Sequence, residues 1–531
     1  MHYSDILQNC IIDYVANINI PPRPSVMADE LLNKIYSAIE TENVNRQNNN
    51  KIKYPHSLPP VCIATLINEF FCVRRIVWTG YGSVSERENN NILSIYQDEG
   101  TNEGIYVSHR NAFARLIRQF DYNISSRAID EVIAVLKEIS QVAPVTKEPG
   151  LIAVNNGIFN FNTKELMCFS PDFVFTSKSK VDYNPQARNI TIHNDMDNTD
   201  WDVKSWMQEL SDNPQIVELI WQTIGAVIRP NVPWNRVVCF YSETGCSGKG
   251  TICQVMNELC SNTASLSFED FSNNFLLEPL IYSSAIIADE NNTNGYINAA
   301  ATLKAVITGD RFSLDCKFQK PITFRFRGLM VQCINSMPRF KDKTASLARR
   351  LLMIPFDKCF TGQAREYIKE DYLKRTEVLE YVLYKVLNMD YDEKAWRNEN
   401  LPLECQQLLL EFKEFNNPVE QFLNEVLDEC KWDLLPWNFL YALYCSWFKK
   451  NNPSGQTQGK SSFVQDVKIL LKNSDEWKFE EQRSKNRMDA PEPLILQYDL
   501  NDWKNPSYHG TDEDKICMPA LKPKYRGLVR Q

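Results

Sequence analysis

A glycine-rich segment in the middle of the sequence has the residue types that bind a triphosphate. It follows the apolar run 237–241 and contains, in order, Gly245, Cys246, Ser247, Gly248, Lys249, Gly250 and Thr251. Unobstructed backbone N–H groups, a helix N-terminus and one lysine together bind the oxygens of a polyphosphate. The segment therefore predicts a nucleotide site in which Lys249 contacts the phosphates.

The segment departs from the usual phosphate-loop pattern at two positions. Glu243 stands where the first glycine is expected, and Gly250 stands where the magnesium-binding Ser or Thr usually follows the lysine. Thr251 is the nearest hydroxyl, so we predict that Thr251 is a metal ligand. Degenerate glycine loops also occur at ordinary turns and helix starts, so this interpretation needs a second motif.

Two adjacent carboxylates supply that second motif. The apolar run 285–288 ends in Asp289 and Glu290. In P-loop ATPases the first acid holds the magnesium ion and the second polarises the attacking water. A solvated acidic turn at the end of a strand is the alternative. We predict Asp289 as a metal ligand and Glu290 as a catalytic residue, with ATP and Mg²⁺ as the bound groups.

Polar residues stand at the ends of two further apolar runs. Asn335 follows the run 329–334, and its amide could hold the attacking water, although an asparagine here is also ordinary turn chemistry. Arg349 and Arg350 precede the run 351–356. An arginine at a subunit edge could neutralise charge on the ATP of a neighbouring subunit, whereas most exposed arginines are only solvated. We include all three in the predicted catalytic set.

The order of these motifs resembles that of the superfamily 3 helicases. Between the acidic pair and the asparagine lie the segment 304–310, with the pattern Lys-x-x-x-Thr-Gly-Asp, and a basic hairpin at residues 315–320. Upstream, residues 155–164 and 181–185 look like the segment that precedes the motor in primase-helicases of the satellite-phage and poxvirus type. The agreement covers the kind and the order of the motifs.

This resemblance implies an AAA+ P-loop ATPase core that forms a homo-hexamer, translocates on single-stranded DNA and unwinds forked duplex during replication of a phage or mobile element. The resemblance places Lys317, Phe318 and Lys320 in the central channel of the hexamer. There the two lysines would contact phosphates, and the aromatic side chain of Phe318 would contact sugars or bases. From Lys304 to Arg350 there are eleven Lys or Arg against three Asp, in a chain of formal net charge −9. A solvated hairpin with Phe318 in the core is the alternative.

Periodicity and composition divide the chain into four predicted units of a multidomain α/β protein. We predict an N-terminal helical unit, a mainly α+β family-specific domain, the AAA+ motor and a C-terminal helical and winged-helix domain, at residues 1–90, 91–200, 201–375 and 376–531.

The C-terminal domain is predicted from three helices, at 418–430, 436–448 and 461–471, and from strands near Trp477 and Leu496. This order predicts a winged helix whose third helix exposes Lys460, Ser462, Gln465 and Lys468. Such a domain could read replication-origin DNA, and packing against the motor or a partner is the alternative.

Composition excludes several classes of protein. The 15 cysteines include no C-x-x-C pair and the five histidines lie far apart, so we expect reduced thiols and no zinc site. The sequence has no signal-like start and no apolar run of about 18 residues, which predicts a cytoplasmic protein without a membrane partner.

Two other functions stay open at this point. A primase needs clustered carboxylates on strands, whereas the candidate pair Asp195 and Asp197 lies in a polar loop and residues 1–90 are short and helical. The chain could therefore be the helicase part of a primase-helicase, or a primase could be a partner. A nucleotide-gated initiator or scaffold would use ATP only to assemble at an origin. Glu290 distinguishes this class, because only a motor requires the residue that activates water.

Overall fold

The N-terminal apolar stripes pack around a small sheet. The computed structural model describes residues 2–78, 90–291, 296–297, 300–315, 321–340, 345–362, 365–451 and 456–531. The first sheet has the order β3-β2-β1-β4 and consists of β1 (Val73–Val77), β2 (Ile92–Tyr96), β3 (Tyr106–Val107) and β4 (Val142–Pro144). Its helices are α1 (Tyr3–Ala16), α2 (Pro24–Asn43), α3 (Pro60–Phe70), α4 (Arg110–Phe120) and α5 (Ser126–Ile139).

The boundary predicted between residues 90 and 91 does not separate two units. β1 pairs antiparallel with β2 from the other side of that boundary, and β4 pairs parallel with β1. Buried residues of all five helices also belong to one hydrophobic core. The first 90 residues therefore complete a sheet with the residues that follow, a long-range pairing that local periodicity does not reveal.

A second group of short strands connects this region to the motor. β5 (Leu151–Val154), β6 (Gly157–Asn160) and β7 (Glu165–Met167) form an antiparallel sheet, and β8 (Ile192–Asn194) and β9 (Thr199–Trp201) form a hairpin. Helices α6 (Val203–Glu209) and α7 (Pro214–Val227) follow, capped by Asp202 and Asn213. Phe159, Trp201 and Ile220 lie in the same core as the central sheet, so the predicted division at residues 200 and 201 also crosses a shared core.

The central sheet has five strands, all parallel, in the order β11-β12-β16-β10-β18. The strands are β10 (Val237–Tyr241), β11 (Thr263–Ala264), β12 (Ala285–Ala288), β16 (Met330–Ile334) and β18 (Leu351–Pro355). Their side chains are almost all buried, which explains why they read as continuous apolar runs. The segments that follow β10, β12 and β16 emerge at one edge of the sheet, the usual place for a ligand.

Smaller elements surround this sheet. Helix α8 (Lys249–Leu259) follows β10, and α9 (Ala300–Thr308) and α10 (Ala345–Ala348) lie further along the chain. β13 (Tyr296–Ile297) pairs with β17 (Arg339–Phe340), and β14 (Phe312–Leu314) pairs antiparallel with β15 (Ile322–Phe324). Short 3-10 helices occur at Asn48–Asn50, Asp270–Ser272, Asn274–Ile281, Tyr372–Lys374, Glu393–Trp396, Asn398–Asn400, Leu427–Glu429 and Asn501–Trp503.

The helices after the central sheet belong to its core. They are α11 (Glu366–Glu370), α12 (Thr376–Asn388) and α13 (Leu403–Asn416). Val382 and Leu383 of α12 are buried among the residues of the central core. The chain divides into two compact units between Leu409 and Leu410. The boundary predicted between residues 375 and 376 therefore lies inside the first unit, because α12 buries its apolar face there.

The second unit contains three main helices and a three-stranded antiparallel sheet of order β19-β21-β20. In chain order its elements are α14 (Pro418–Val426), β19 (Leu434–Pro436), α15 (Trp437–Asn451), α16 (Lys460–Leu470), β20 (Trp477–Arg483), α17 (Leu494–Gln497), α18 (Glu513–Ile516) and β21 (Lys524–Arg530).

Two predictions for this unit have clear outcomes. The segment near Leu496 is a short helix with a buried face rather than a strand, and the third strand lies near the end of the chain. Helix α16 buries Phe463 and Val467 and exposes, as predicted, Lys460, Ser462, Gln465 and Lys468.

Within the described ranges, every helix is too short or too polar to span a lipid bilayer. The cysteines in those ranges are free thiols.

Candidate nucleotide-binding site

The glycine-rich loop joins β10 to the first turn of α8. Gly248 caps the helix with φ of 90°, a left-handed conformation that favours glycine, and a Cβ there would lie 2.9 Å from Leu210 Cδ2. Cys246 also has a positive φ, of 56°. A glycine is therefore required immediately before the lysine, because the backbone there is left-handed and a side chain would contact Leu210.

Lys249 is buried at the start of the helix, and its side chain exposes only 7% of its surface. Its Nζ donates a hydrogen bond to Ser247 Oγ at 3.1 Å. Burial lowers the pKa of Lys249, and attraction to Cys333 and Asp289 acts in the opposite direction. A bound anion would stabilise the charged form of this amine, so the site favours a negatively charged ligand.

Gly250 resolves the second departure from the usual loop pattern. A Cβ at this position would lie 2.8 Å from Asp289 Oδ2 and 3.0 Å from Oδ1. The carboxylate of Asp289 thus lies against the first turn of α8, in the space that the side chain of the usual Ser or Thr would take. This arrangement fits a magnesium ion at the end of β12, because an oxygen ligand stands close to the phosphate-binding loop.

Thr251 faces a different part of the site. It lines a cavity of about 230 Å³ beside the loop, whereas Gly250 is the residue next to Asp289. The role of Thr251 as a magnesium ligand stays a prediction.

The cavity is a part of the site that the sequence did not predict. Phe360 N–H donates to Cys246 O at 2.9 Å, which holds the segment after β18 against the loop. The cavity is lined by large apolar side chains together with charged ones; the lining residues are Trp206, Leu210, Cys246, Gly248, Thr251, Phe360, Arg365, Glu366, Ile368 and Lys369. A flat aromatic base with polar edges suits such walls.

The ends of three strands are connected at the loop edge of the sheet. Ser242 N–H donates to Ile334 O at 3.2 Å, and Asn291 Nδ2 donates to Cys333 O at 3.0 Å. Asp289 and Glu290 follow β12 and are exposed, and Asn335 follows β16 and is exposed. The fold therefore brings the acidic pair and Asn335 to the edge that carries Lys249.

The paired arginines lie at the opposite edge. Val237 N–H donates to Arg350 O at 2.9 Å, at the beginning of β10, whereas the glycine-rich loop follows its end. Arg350 is half-buried and donates to Ser346 Oγ at 2.8 Å, and burial together with Arg349 lowers its pKa. Arg349 is exposed. Five strand residues at about 3.3 Å each separate the arginines from the loop of their own subunit by roughly 16 Å.

The predicted DNA-binding residues Lys317, Phe318 and Lys320 lie outside the described residues. The strands on either side of them are β14 and β15, which pair antiparallel with Leu314 opposite Ile322. The arms of the predicted hairpin are therefore present.

Three segments of the chain match the models of known protein families. Residues 76–212 match a family described as D5 N terminal like, residues 240–350 match a family of unknown function (DUF5906), and residues 414–505 match a family described as Poxvirus D5 protein-like. No curated protein matches the chain.

Two solved structures match the chain at low sequence identity. The C-terminal region of NrS-1 in its apo form has 10% identity and a TM-score of 0.44, covering 86% of this chain and 97% of that chain. The JCV helicase has 18% identity and a TM-score of 0.26, covering 46% of this chain and 62% of that one.

The D5-like matches flank the glycine-rich loop and the acidic pair, in the order that the sequence motifs indicate. The chain therefore contains D5-like segments on both sides of the candidate nucleotide site.

Proposed function

We propose that this protein is an ATP-driven replicative DNA helicase. The observation that carries the proposal is the junction of α8 with the end of β12, where buried Lys249 begins the helix and the carboxylate of Asp289 lies against Gly250. A basic group, a helix N-terminus and a carboxylate at one strand edge are the components that bind a magnesium nucleotide.

Each residue has a distinct role in this proposal. Lys249 binds the phosphate oxygens, and the N–H groups of residues 245–251 surround them. Asp289 holds the metal and its water, Glu290 accepts a proton from the attacking water, and Asn335 orients that water. A bound Mg²⁺ would neutralise charge on the phosphates.

The cavity beside the loop supports a place for the base. Trp206, Leu210, Phe360 and Ile368 would cover its faces, and Arg365 or Lys369 could bind its edge or the ribose. Thr251 lines the same cavity, and in this proposal it contacts the nucleotide and supplies the hydroxyl ligand of the magnesium ion beside Asp289.

The position of Arg349 supports a shared site between subunits. Because it lies at the edge opposite its own loop, this arginine can reach ATP only on a neighbouring copy. A closed ring provides that neighbour at every site, and the family resemblance implies six subunits. We propose that Lys317, Phe318 and Lys320 contact single-stranded DNA in the channel of the ring.

The second unit supports a further DNA contact. Its order of helix, strand, helix, helix, strand and strand is that of a winged helix, in which β20 and β21 form the wing. A groove of about 710 Å³ lies along this wing, lined by the cations Arg483, Lys485, Arg487, Lys524 and Arg530 and by Asp433, Glu481, Gln482, Asn486 and Gln531. We propose that this groove binds duplex DNA, with origin recognition as its role.

The primase alternative has less support. The carboxylate of Asp197 accepts hydrogen bonds from Thr199 Oγ1 at 2.6 Å and from Tyr367 Oη at 2.7 Å, and the hydrogen bond from Thr199 lowers its pKa. This carboxylate therefore stabilises the turn of the β8–β9 hairpin. A separate primase remains a proposed partner.

Strand displacement on a forked duplex tests the helicase proposal. We expect unwinding with ATP and none with a non-hydrolysable analogue. Lys249→Ala should abolish ATP binding, whereas Glu290→Gln should bind ATP and fail to hydrolyse it, because the lysine holds phosphate charge and the glutamate activates water.

Glu377→Gln is a matched control, since it removes one exposed carboxylate on α12, away from the loop. Wild-type turnover in Glu290→Gln would overturn the catalytic assignment. Equal strand separation with the analogue would favour the nucleotide-gated initiator.

A further inference from the structure

Two buried thiols lie next to the acidic residue of the candidate nucleotide site. Cys253 is on α8, one turn after Lys249, and Cys333 is on β16; each exposes 2% of its surface. Their sulfur atoms are 3.3 Å apart, although the residues are 80 positions apart in the sequence. Both sulfurs and a carboxylate oxygen of Asp289 lie within 4.8 Å of one another.

This donor set differs from the one that binds magnesium. Mg²⁺ prefers oxygen ligands, whereas thiolates select softer ions such as Zn²⁺ and Cd²⁺. Zinc lies at about 2.3 Å from sulfur and about 2.0–2.2 Å from a carboxylate oxygen. Donors separated by less than 4.8 Å can therefore converge on one ion with small movements.

The surroundings provide both rigidity and access. The three donors come from α8, β16 and the end of β12, and the hydrogen bond from Asn291 Nδ2 to Cys333 O connects the last two elements. Asp289 is exposed, so an ion can enter from the side of the nucleotide site.

We propose that Cys253, Cys333 and Asp289 bind one thiophilic divalent cation, such as Zn²⁺, when the nucleotide site is empty. Water takes the fourth position of a tetrahedral ion. Binding replaces the proton of each thiol, so each bound ion releases two protons to the buffer.

The site has a regulatory consequence that rests on the proposed function. This ion and the magnesium of a nucleotide compete for Asp289, because both are bound by the same carboxylate. An ion that draws the Asp289 carboxylate toward the two sulfurs therefore weakens the binding of magnesium ATP, and zinc inhibits the ATPase.

The direct test uses the reduced, nucleotide-free full chain and Cd²⁺ as the probe. Thiolate-to-cadmium charge transfer gives an ultraviolet absorption band, and we expect it to saturate at one ion per chain and to be displaced by Zn²⁺. Cys253→Ser and Cys333→Ser should each remove the saturable band. Asp289→Asn should keep the band with affinity lower by about 10- to 100-fold, as for loss of a supporting ligand group.

Cys359→Ser is the matched control, since this exposed thiol lies near the loop, 3.7 Å from Gly245 O, but outside the donor set. Thermal unfolding of each variant identifies any that fails to fold. A saturable band that persists in both buried-cysteine variants, or depends on Cys359, would overturn the proposal, as would the lack of a band in the wild-type protein.

Inhibition is measured separately, as the ratio of each protein's ATPase rate with and without Zn²⁺. We expect Cys253→Ser to be less sensitive than the wild type, and a chelator to restore the wild-type rate. The cadmium band requires no ATP turnover. Failure of the metal site and failure of the helicase proposal therefore give different results.

Discussion

The Gly250→Ala substitution adds one methyl group between helix α8 and the carboxylate of Asp289. The new carbon would lie 2.8 Å from Asp289 Oδ2, below the 3.4 Å at which ordinary van der Waals contact begins. Alanine is a better helix former than glycine, so the backbone of α8 accepts the change. The steric clash displaces the carboxylate of Asp289, which can rotate away because it is the free end of a short side chain.

The size of the effect follows from the distance that the carboxylate must move. From 2.8 Å to 3.4 Å is a shift of about 0.6 Å, and a displacement of about 1 Å in a catalytic group can cost on the order of 100-fold in rate. We expect Gly250→Ala to lower the rate of ATP hydrolysis by roughly 10- to 100-fold. This loss corresponds to about 1.4–2.7 kcal/mol of transition-state stabilisation.

Steady-state ATPase assays measure the loss of rate, and thermal unfolding measures the stability of the variant. The unfolding temperature should stay close to that of the wild type while the rate falls. Gly250→Ser should recover part of the rate, because its hydroxyl can replace the displaced carboxylate as a metal ligand. Gly459→Ala is the control, since Gly459 lies outside the phosphate loop and a Cβ there meets nothing within 4 Å.

The reasoning fails if Gly250→Ala hydrolyses ATP as fast as Gly459→Ala and the wild type. It also fails if the rate falls only in proportion to unfolded protein, since the close approach to Asp289 would then be a matter of stability alone.

Three other predictions concern the ring and its DNA contacts. Arg349→Ala subunits, mixed with subunits whose phosphate-loop lysine is replaced, should recover part of the ATPase, because mixed interfaces pair an intact loop with an intact arginine. Lys317→Ala with Lys320→Ala should leave basal ATPase in place but abolish unwinding and reduce the salt dependence of single-stranded DNA binding. Lys485→Ala with Lys524→Ala should weaken duplex binding without nucleotide and lower the salt slope by about 2.

Each of these has its own contradicting result. Mixed rings that form but never regain ATPase would exclude a shared site. An unchanged salt slope in the hairpin variant would remove the hairpin from the DNA path. For the groove, Lys460→Ala with Lys468→Ala on α16 is the matched pair, and a larger loss in that variant would assign duplex binding to the helix face.

The local part of the site could be read from the sequence because it is continuous in the chain. A buried strand, a glycine loop and a helix follow one another between residues 237 and 259, and the strand that carries Asp289 is a single apolar run. The parallel order of the sheet then brings separate strand ends to one edge. Motif order, combined with strand direction, was therefore enough to predict that edge.

The parts that the sequence did not reveal depend on contacts between distant segments. Phe360 reaches the loop through a backbone hydrogen bond to Cys246, and no motif near Phe360 indicates this contact. Cys253 and Cys333 meet only because α8 packs on β16. The domain boundaries failed for the same reason, since β1 pairs with a strand beyond the predicted limit of its unit.

The charges of the second unit favour one of its surfaces for the proposed contact with duplex DNA. On α16, Lys460 Nζ bonds to Asn438 Oδ1, and Lys468 Nζ lies 5.8 Å from the ring centre of Trp437, so both amines contact neighbouring side chains. In the groove, Arg530 is paired with Asp433 and Glu476 at 3.6 and 3.2 Å and is largely neutralised.

The other four cations in the lining of the groove are Arg483, Lys485, Arg487 and Lys524. Besides Asp433, the lining contains one acid, Glu481. Phosphate contacts supply most of the affinity of a protein for duplex DNA, and they need cations that are exposed and arranged along a surface. Arg483, Lys485 and Lys524 are exposed along the wing. The wing is therefore the better candidate for binding the phosphates of the duplex. The exposed face of α16 would contact bases only after the wing has positioned the duplex.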